Sequence, residues 1–288
     1  DQGSLGAASY YRAVERQMEI MKEMGVNAIR VSHNPASEAL LEICNRLGLM
    51  VIDEAFDTWT NPKNGNSNDF SKYFNATIGE DNQIINGEAD MTWGEFEAKS
   101  MVKNAKNNPS VIMWSVGNEV LEGIGGDSSN YTTVVQNIID WIQEEDTTRP
   151  VTIGDNQSKN GSSRAQAISD VVAENGGIVG FNYTNQNQFN SLLNNNENWI
   201  AYDSETSSAV HSRGYYKTWG RDNNALQMAE YDNNENRVGW GHSASTAWKY
   251  VIKNDRNAGE FVWTGFDYIG EPTPWNGVST GSVSGQGA

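Results

Sequence analysis

Two hydrophobic periods alternate along the 288 residues of this chain. "YYRAVERQMEIMKEMG" (10–25) sets apolar residues three and four apart and stops on Gly25, which predicts a helix. "VNAIRVSH" (26–33) is a short apolar run and predicts a strand. "SEALLEICNRLG" (37–48) opens on a Ser cap and closes on Gly48, the signals of a second helix. "LMVIDEAF" (49–56) is the next strand. A polar stretch (57–91), rich in Asn, Asp and Gly, reads as a loop excursion.

The same alternation continues to the last quarter of the chain. Helical patterns cover 92–108, 131–146, 163–177, 187–198 and 242–255, and strand patterns cover 110–118, 149–156, 178–183, 199–206 and 258–270. That makes seven helices and seven strands in strict alternation. Apolar strands separated by amphipathic helices imply a parallel sheet covered by helices. A doubly wound open sheet and a (β/α)8 TIM barrel are the two candidates. The first helix has no strand before it and the last strand no helix after it, so the expectation is a single barrel domain (1–288) lacking strand 1 and the last helix, cut from a longer chain.

The strand ends decide between the two. Arg30, His33 and Asn34 end one strand; Asp53, Glu54 and Asp57 the next; then Asn118 and Glu119, Asp155, Asn182 and Tyr183, Asp203 and Glu205, and Trp263 and Asp267. In a barrel, all strands deliver their C-terminal residues to one face, where catalysis sits. An open sheet would bring them together only at a switch point. Polar ends on all seven strands favour the barrel. Glu119 and Glu205 then emerge three strands apart, on opposite sides of one mouth with aromatic neighbours. Two opposed carboxylates suit glycosidic bond cleavage, in which one protonates the leaving oxygen and the other attacks or steadies an oxocarbenium-like carbon.

Composition narrows the partners. Acids number 37 against 20 bases, a net charge of −17, which disfavours nucleic acid and anionic membranes. Mean hydropathy is −0.63. No apolar run reaches 18 residues, so membrane insertion is not expected. Cys44 is the only cysteine; it excludes an internal disulfide and is expected to be buried in its helix. The three histidines form no zinc motif, and "GIGGD" (123–127) lacks the features of a phosphate loop. The Met-rich stripe of the first helix, Trp141 and Trp248 are expected in the core.

"NAIRVSHNP" (27–35), "DEAFDTW" (53–59), "NNPSVIMWSVGNE" (107–119), "SETSS" (204–208) and "GEFVWTGFDYIGEPTPW" (259–275) together resemble the catalytic barrel of glycoside hydrolase family 2. Within that family they are most similar to bacterial β-galactosidases, especially large cell-surface enzymes. The resemblance implies a retaining mechanism on β-galactosides, with Glu119 as acid/base and Glu205 as nucleophile. It implies that Asn118 holds the sugar 2-hydroxyl, that Tyr183 bonds the nucleophile, and that Trp263, with a cis peptide to Thr264, floors the ring. Arg30 and His33 would line the pocket, Asp155 would reach the 4- or 6-hydroxyl, and Trp59 and Trp275 would be outer platforms. No cofactor is expected, although some members bind Mg²⁺ or Na⁺ near the acid. Accessory β-domains and an extracellular or cell-surface setting are implied for the parent chain. A β-glucuronidase, a β-mannosidase, a cellulase-like barrel and a non-hydrolytic carbohydrate-binding piece are the alternatives.

Overall fold

The computed structural model describes residues 8–80, 87–209, 220–222, 225–227 and 239–266. Its main sheet has seven strands, all parallel: β1 (Ala28–Arg30), β2 (Met50–Glu54), β3 (Val111–Asn118), β4 (Val151–Asp155), β5 (Ile178–Asn182), β6 (Ala201–Ser207) and β9 (Asn257–Trp263), paired in that order. β9 comes back close to β1, though no ladder joins the two among the described residues. The result is a nearly closed TIM barrel.

The helices fall where the periodicity places them: α1 (Tyr11–Glu23), α2 (Glu38–Leu47), α4 (Trp93–Ala105), α5 (Tyr131–Glu145), α6 (Ser163–Glu174), α7 (Gln186–Asn195) and α8 (Ala244–Ile252). Local chemistry sets their ends. The Ser37 side chain accepts from the Leu40 N–H, and Gly48 closes α2 in the left-handed region at φ 68°. Thr92 and Ser162 cap α4 and α6 in the same way, and Asn185 with Gln188 forms a capping box on α7. The polar stretch after β2 and the segment between β6 and α8 hold elements that periodicity does not reveal: a one-turn helix α3 (Ser71–Phe74) and a two-stranded antiparallel ribbon of β7 (Gly220–Asp222) and β8 (Ala225–Gln227).

Most of the core lies between sheet and helices. Val134, Val135, Ile138, Ile139 and Ile142 of α5 pack there, as do Met18 and Met21 of α1, and Cys44 is fully buried. Met24 ends the stripe in solvent. Two tryptophans depart from expectation. Trp248 is half exposed, because α8 turns Ala247 and Val251 inward instead. Trp59 is no outer platform: it is fully buried, and its indole N–H donates to the Val116 carbonyl at 2.9 Å. Trp141 packs at the core edge against Phe74.

Inside the barrel, Ile52, Met113 and Tyr202 meet from β2, β3 and β6. β2 and β3 are neighbours in the sheet, with Ile52 and Met113 side by side, and β6 reaches them only across the lumen, so this cluster is its apolar floor. Side chains alternate along a strand, so the next inward position above each floor residue is polar: Glu54, Ser115 and Ser204. The site is built on that polar layer.

Candidate active site

Arg30 is the hub. Its register partner on β2 is the floor residue Ile52. Gly154 of β4 leaves it space, since a Cβ there would lie 2.6 Å from Arg30 Nη2. Nη2 lies 2.6 Å from Glu54 Oε2 and donates to Asn118 Oδ1 at 2.9 Å, while Nη1 donates to Glu205 Oε1 at 2.9 Å. Burial works against the guanidinium charge, but Glu54 and Glu205 outweigh it and hold its pKa above the ordinary value. Glu54 is buried completely and accepts from Ser115 Oγ at 2.7 Å as well. Burial would raise its pKa; Arg30, His33 and Ser115 bring it down to about 2.

His33 continues the network. Its Nδ1 lies 2.7 Å from Glu54 Oε1, and its Nε2 3.3 Å from Asn118 Nδ2 and 3.6 Å from Glu205 Oε1. Burial opposes its protonation, but the hydrogen bond and charge of Glu54 raise its pKa overall. The Ser32–His33 and Trp263–Thr264 peptide bonds are both cis.

Two irregularities aim the acids. Pairing between β5 and β6 shifts at Phe181/Asn182, so Asn182 stands beside Glu205 instead of Ser204. Pairing between β3 and β4 shifts between Ser115 and Asn118. Glu119, Tyr183, Ser207 and Ser208 take φ values of 45°, 58°, 71° and 51°. Non-glycine residues adopt this region at about 1–2 kcal/mol each, and such outliers gather at functional sites.

Glu205 is buried and held on both oxygens. Tyr183 Oη donates to Oε2 at 3.0 Å, and Ser208 Oγ donates to Tyr183 Oη at 2.8 Å. Burial raises the Glu205 pKa; the charges of Arg30 and His33 act the other way without cancelling it. Asn182 bridges to the second acid: its Nδ2 donates to Glu119 Oε1 at 2.8 Å and to Asn118 Oδ1 at 3.1 Å, and its Oδ1 accepts from Ser204 Oγ at 2.6 Å. Glu119 and Glu205 thus sit on one polar network, close enough for the Glu119 charge to act on Glu205.

The structure therefore brings Arg30, His33, Asn118, Glu119, Tyr183 and Glu205 together, with Trp263 joined through His33. Asp155 is buried beside them, but its oxygens accept from the backbone N–H groups of Gln157 and Ser158, at 2.8 and 3.0 Å. Asp267 and Trp275 lie outside the described residues. Glu54 and Asn182 stand out in the sequence only as polar strand ends, and no motif singles out Ser208, Lys159 or Lys63. Lys159 supports Tyr183, donating to the Asn182 and Tyr183 carbonyls at 2.7 and 2.8 Å. Lys63 donates to Asp57 Oδ1 at 2.7 Å and to the Asn118 carbonyl at 3.2 Å.

A metal ion near the acid does not fit these residues. The Lys63 ammonium supplies the positive charge beside Asp57 and Glu119. Among the described residues, no three His, Cys, Asp or Glu side chains are grouped to hold a metal. No described helix is long and apolar enough to cross a membrane.

Residues 2–281 match the sequence profile described as Glycosyl hydrolases family 2, TIM barrel domain. The β-galactosidase BoGH2A of Bacteroides ovatus is 33% identical over 99% of this chain and 35% of its own length. A putative β-glucuronidase of Formosa agariphila is 26% identical over 93% of this chain and 24% of its own. Among solved structures, a glycosyl hydrolase family 2 member from Bacteroides cellulosilyticus superposes with a TM-score of 0.68 at 30% identity, covering 93% of this chain and 27% of that one. A β-glucuronidase of Bacteroides uniformis shares the fold, with a TM-score of 0.64 at 21% identity. The chain thus spans about a third or less of the length of these relatives. With a profile match from residue 2 to 281 on a barrel of this construction, the chain belongs to glycoside hydrolase family 2.

Proposed function

We propose that this barrel hydrolyses terminal β-D-galactosyl residues with retention, through a covalent glycosyl-enzyme. The observation that carries the reading is the fixation of Glu205, with Arg30 on one oxygen and Tyr183 on the other, across from Glu119 on the same network. Arg30 and Tyr183 position Glu205 for attack on the anomeric carbon. Glu119 gives its proton to the departing oxygen, then takes one from water when the intermediate is hydrolysed. The two carboxyl groups are expected about 5–5.5 Å apart, the spacing of retaining enzymes. Asn118 is assigned to the sugar 2-hydroxyl, and Trp263 to the ring face. Asp155 is proposed to meet the 4- or 6-hydroxyl through whatever acceptor capacity its turn leaves.

The main competing reading is a β-glucuronidase, which the Formosa agariphila relative keeps in view. A uronate carboxylate wants a cation. Among the described residues at this face, Arg30, Lys63 and Lys159 each already hold acids or carbonyls. That supports a neutral sugar. As part of the same proposal, the barrel is the catalytic domain of a longer cell-surface protein with accessory β-domains; coverage of only 35% of the Bacteroides ovatus relative supports the greater length.

Two assays test the proposal. Nitrophenyl β-galactoside, β-glucuronide and β-mannoside are compared side by side, and a 2-fluoro-galactoside is used to trap the enzyme. Label on Glu205, with the galactoside preferred, is the expected result. Label on another residue, or preference for the glucuronide, would overturn it.

A further inference from the structure

The turn after β4 is shaped by an acid and serves to place a cation. Asp155 ends the strand, and its oxygens accept from the Gln157 and Ser158 N–H groups at 2.8 and 3.0 Å. A one-turn 3₁₀ helix (Ser158–Asn160) follows and closes on Gly161 at φ 84°. Lys159 reaches from that turn to the end of β5. Its Nζ donates to the Asn182 carbonyl at 2.7 Å and to the Tyr183 carbonyl at 2.8 Å. The same nitrogen lies 5.5 Å from the centre of the Tyr183 ring. An ammonium carries three N–H groups, so it can hold two acceptors at once.

Those carbonyls mark the place where the chain leaves extended geometry. Tyr183 takes φ 58°, in the region that favours glycine. A tyrosine stays there only when its surroundings over-determine it. On one side the Tyr183 N–H donates to the Glu205 carbonyl at 2.7 Å. On the other, Lys159 takes the two carbonyls. The phenol then donates to Glu205 Oε2 at 3.0 Å and accepts from Ser208 Oγ at 2.8 Å. The bonds from Lys159 go to backbone, so its hold on Glu205 runs through the tyrosine.

We infer that Lys159 is a positioning residue for the nucleophile: it clamps the Asn182–Tyr183 backbone in the conformation that aims the phenol at Glu205. The inference rests on Glu205 being the nucleophile. Without the clamp, Tyr183 relaxes toward negative φ and its ring swings off the carboxylate. Glu205 then loses a donor that favours its ionised form. Arg30, His33, Glu119, Tyr183 and Tyr202 face Glu205, and Lys159 itself faces Glu119, Asp155, Asp203 and Glu205. A lost ammonium therefore also raises the proton affinity of Glu205 through space, and the test has to separate the two routes.

A double-mutant cycle on the full chain does so, with Lys159→Met, Tyr183→Phe and the two combined. Lys159→Met is expected to lower kcat roughly ten- to a hundredfold with KM little changed. It should also move the acid limb of the rate profile up by about one pH unit. Tyr183→Phe moves that limb in the parent and leaves it in place in Lys159→Met, because the phenol has already left Glu205. If Lys159 acts by charge alone, or merely stabilises the fold, Tyr183→Phe moves the limb equally in both backgrounds. That result overturns the inference, as does an unmoved limb in Lys159→Met. Lys159→Arg, which keeps the charge and the donors, returns the limb toward its parent position. Lys159→Gln runs the same cycle if Lys159→Met does not fold. Infrared titration of the Glu205 carboxyl, assigned by its loss in Glu205→Gln, repeats the cycle without turnover. A non-additive cycle there supports the clamp even if no galactoside is hydrolysed, and the functional reading then fails alone. An additive cycle with hydrolysis intact removes the clamp and leaves the functional reading standing.

Discussion

The rings of His33 and Trp263 stack across the gap in the barrel, 5.2 Å between centroids and 3° between planes. His33 follows the end of β1 and Trp263 is the last residue of β9, the two strands that no ladder joins among the described residues. His33 is held in turn by Glu54, so the indole rests on a ring whose orientation is set by a buried carboxylate. Trp263→Ala is expected to remove a flat apolar face from the sugar site. Such a contact contributes about 0.5–1.5 kcal/mol, or roughly two- to tenfold in kcat/KM. Steady-state kinetics on nitrophenyl β-galactoside would show it; an unchanged kcat/KM would place the sugar elsewhere.

Glu205→Gln is expected to stop turnover and leave the fold intact. Arg30 keeps its pairing with Glu54, so no buried cation is stranded. Loss of a nucleophile costs on the order of 10⁴-fold or more in kcat. Near-normal hydrolysis by a folded variant, checked by circular dichroism, would remove Glu205 from the reaction.

The acid limb of the rate profile should reflect Glu205. The nucleophile must be ionised, and burial raises its pKa above the ordinary 4.5. Activity is therefore full at higher pH and falls as pH drops through that raised value. Tyr183→Phe removes a donor that favours the ionised form, so the limb should move to still higher pH while kcat falls. A limb that stays put in Tyr183→Phe would show that the phenol does not tune Glu205.

The barrel was legible because strands buried on both faces read as unbroken apolar runs, as in "VIMWSV", and because each run ended in polar residues. What escaped depended on distances that no periodicity encodes. Lys63 meets the Asn118 carbonyl across 55 residues of chain, by way of a loop read only as polar. Asn182 was visible as a strand end, but its place beside Glu205 depends on a register shift. The family resemblance implies a platform at Trp59, yet a single backbone carbonyl takes its N–H into the core. The sequence signal that could have found Glu54 was its place on β2, two residues after the lumen-facing Ile52, since residues two apart share a face.

Glu54 carries the last prediction. Fully buried itself, it joins Arg30, His33 and Ser115, and its folded pKa of about 2 lies below the ordinary 4.5. A carboxylate depressed on folding stabilises the folded state fully above its unfolded pKa, and that contribution is lost as pH falls through the folded value. Glu54→Gln takes the carboxylate from Arg30 and from His33 at once, whereas Glu205→Gln leaves both of them on Glu54. Breaking a buried pair in this way costs about 3–5 kcal/mol. Urea unfolding should therefore show a large deficit for Glu54→Gln at pH 7 that narrows as pH is lowered from about 4.5 toward 2, where the parent's own Glu54 takes up a proton. A deficit of constant size over that range would mean that the shape of the side chain, and not its charge, holds the hub in place.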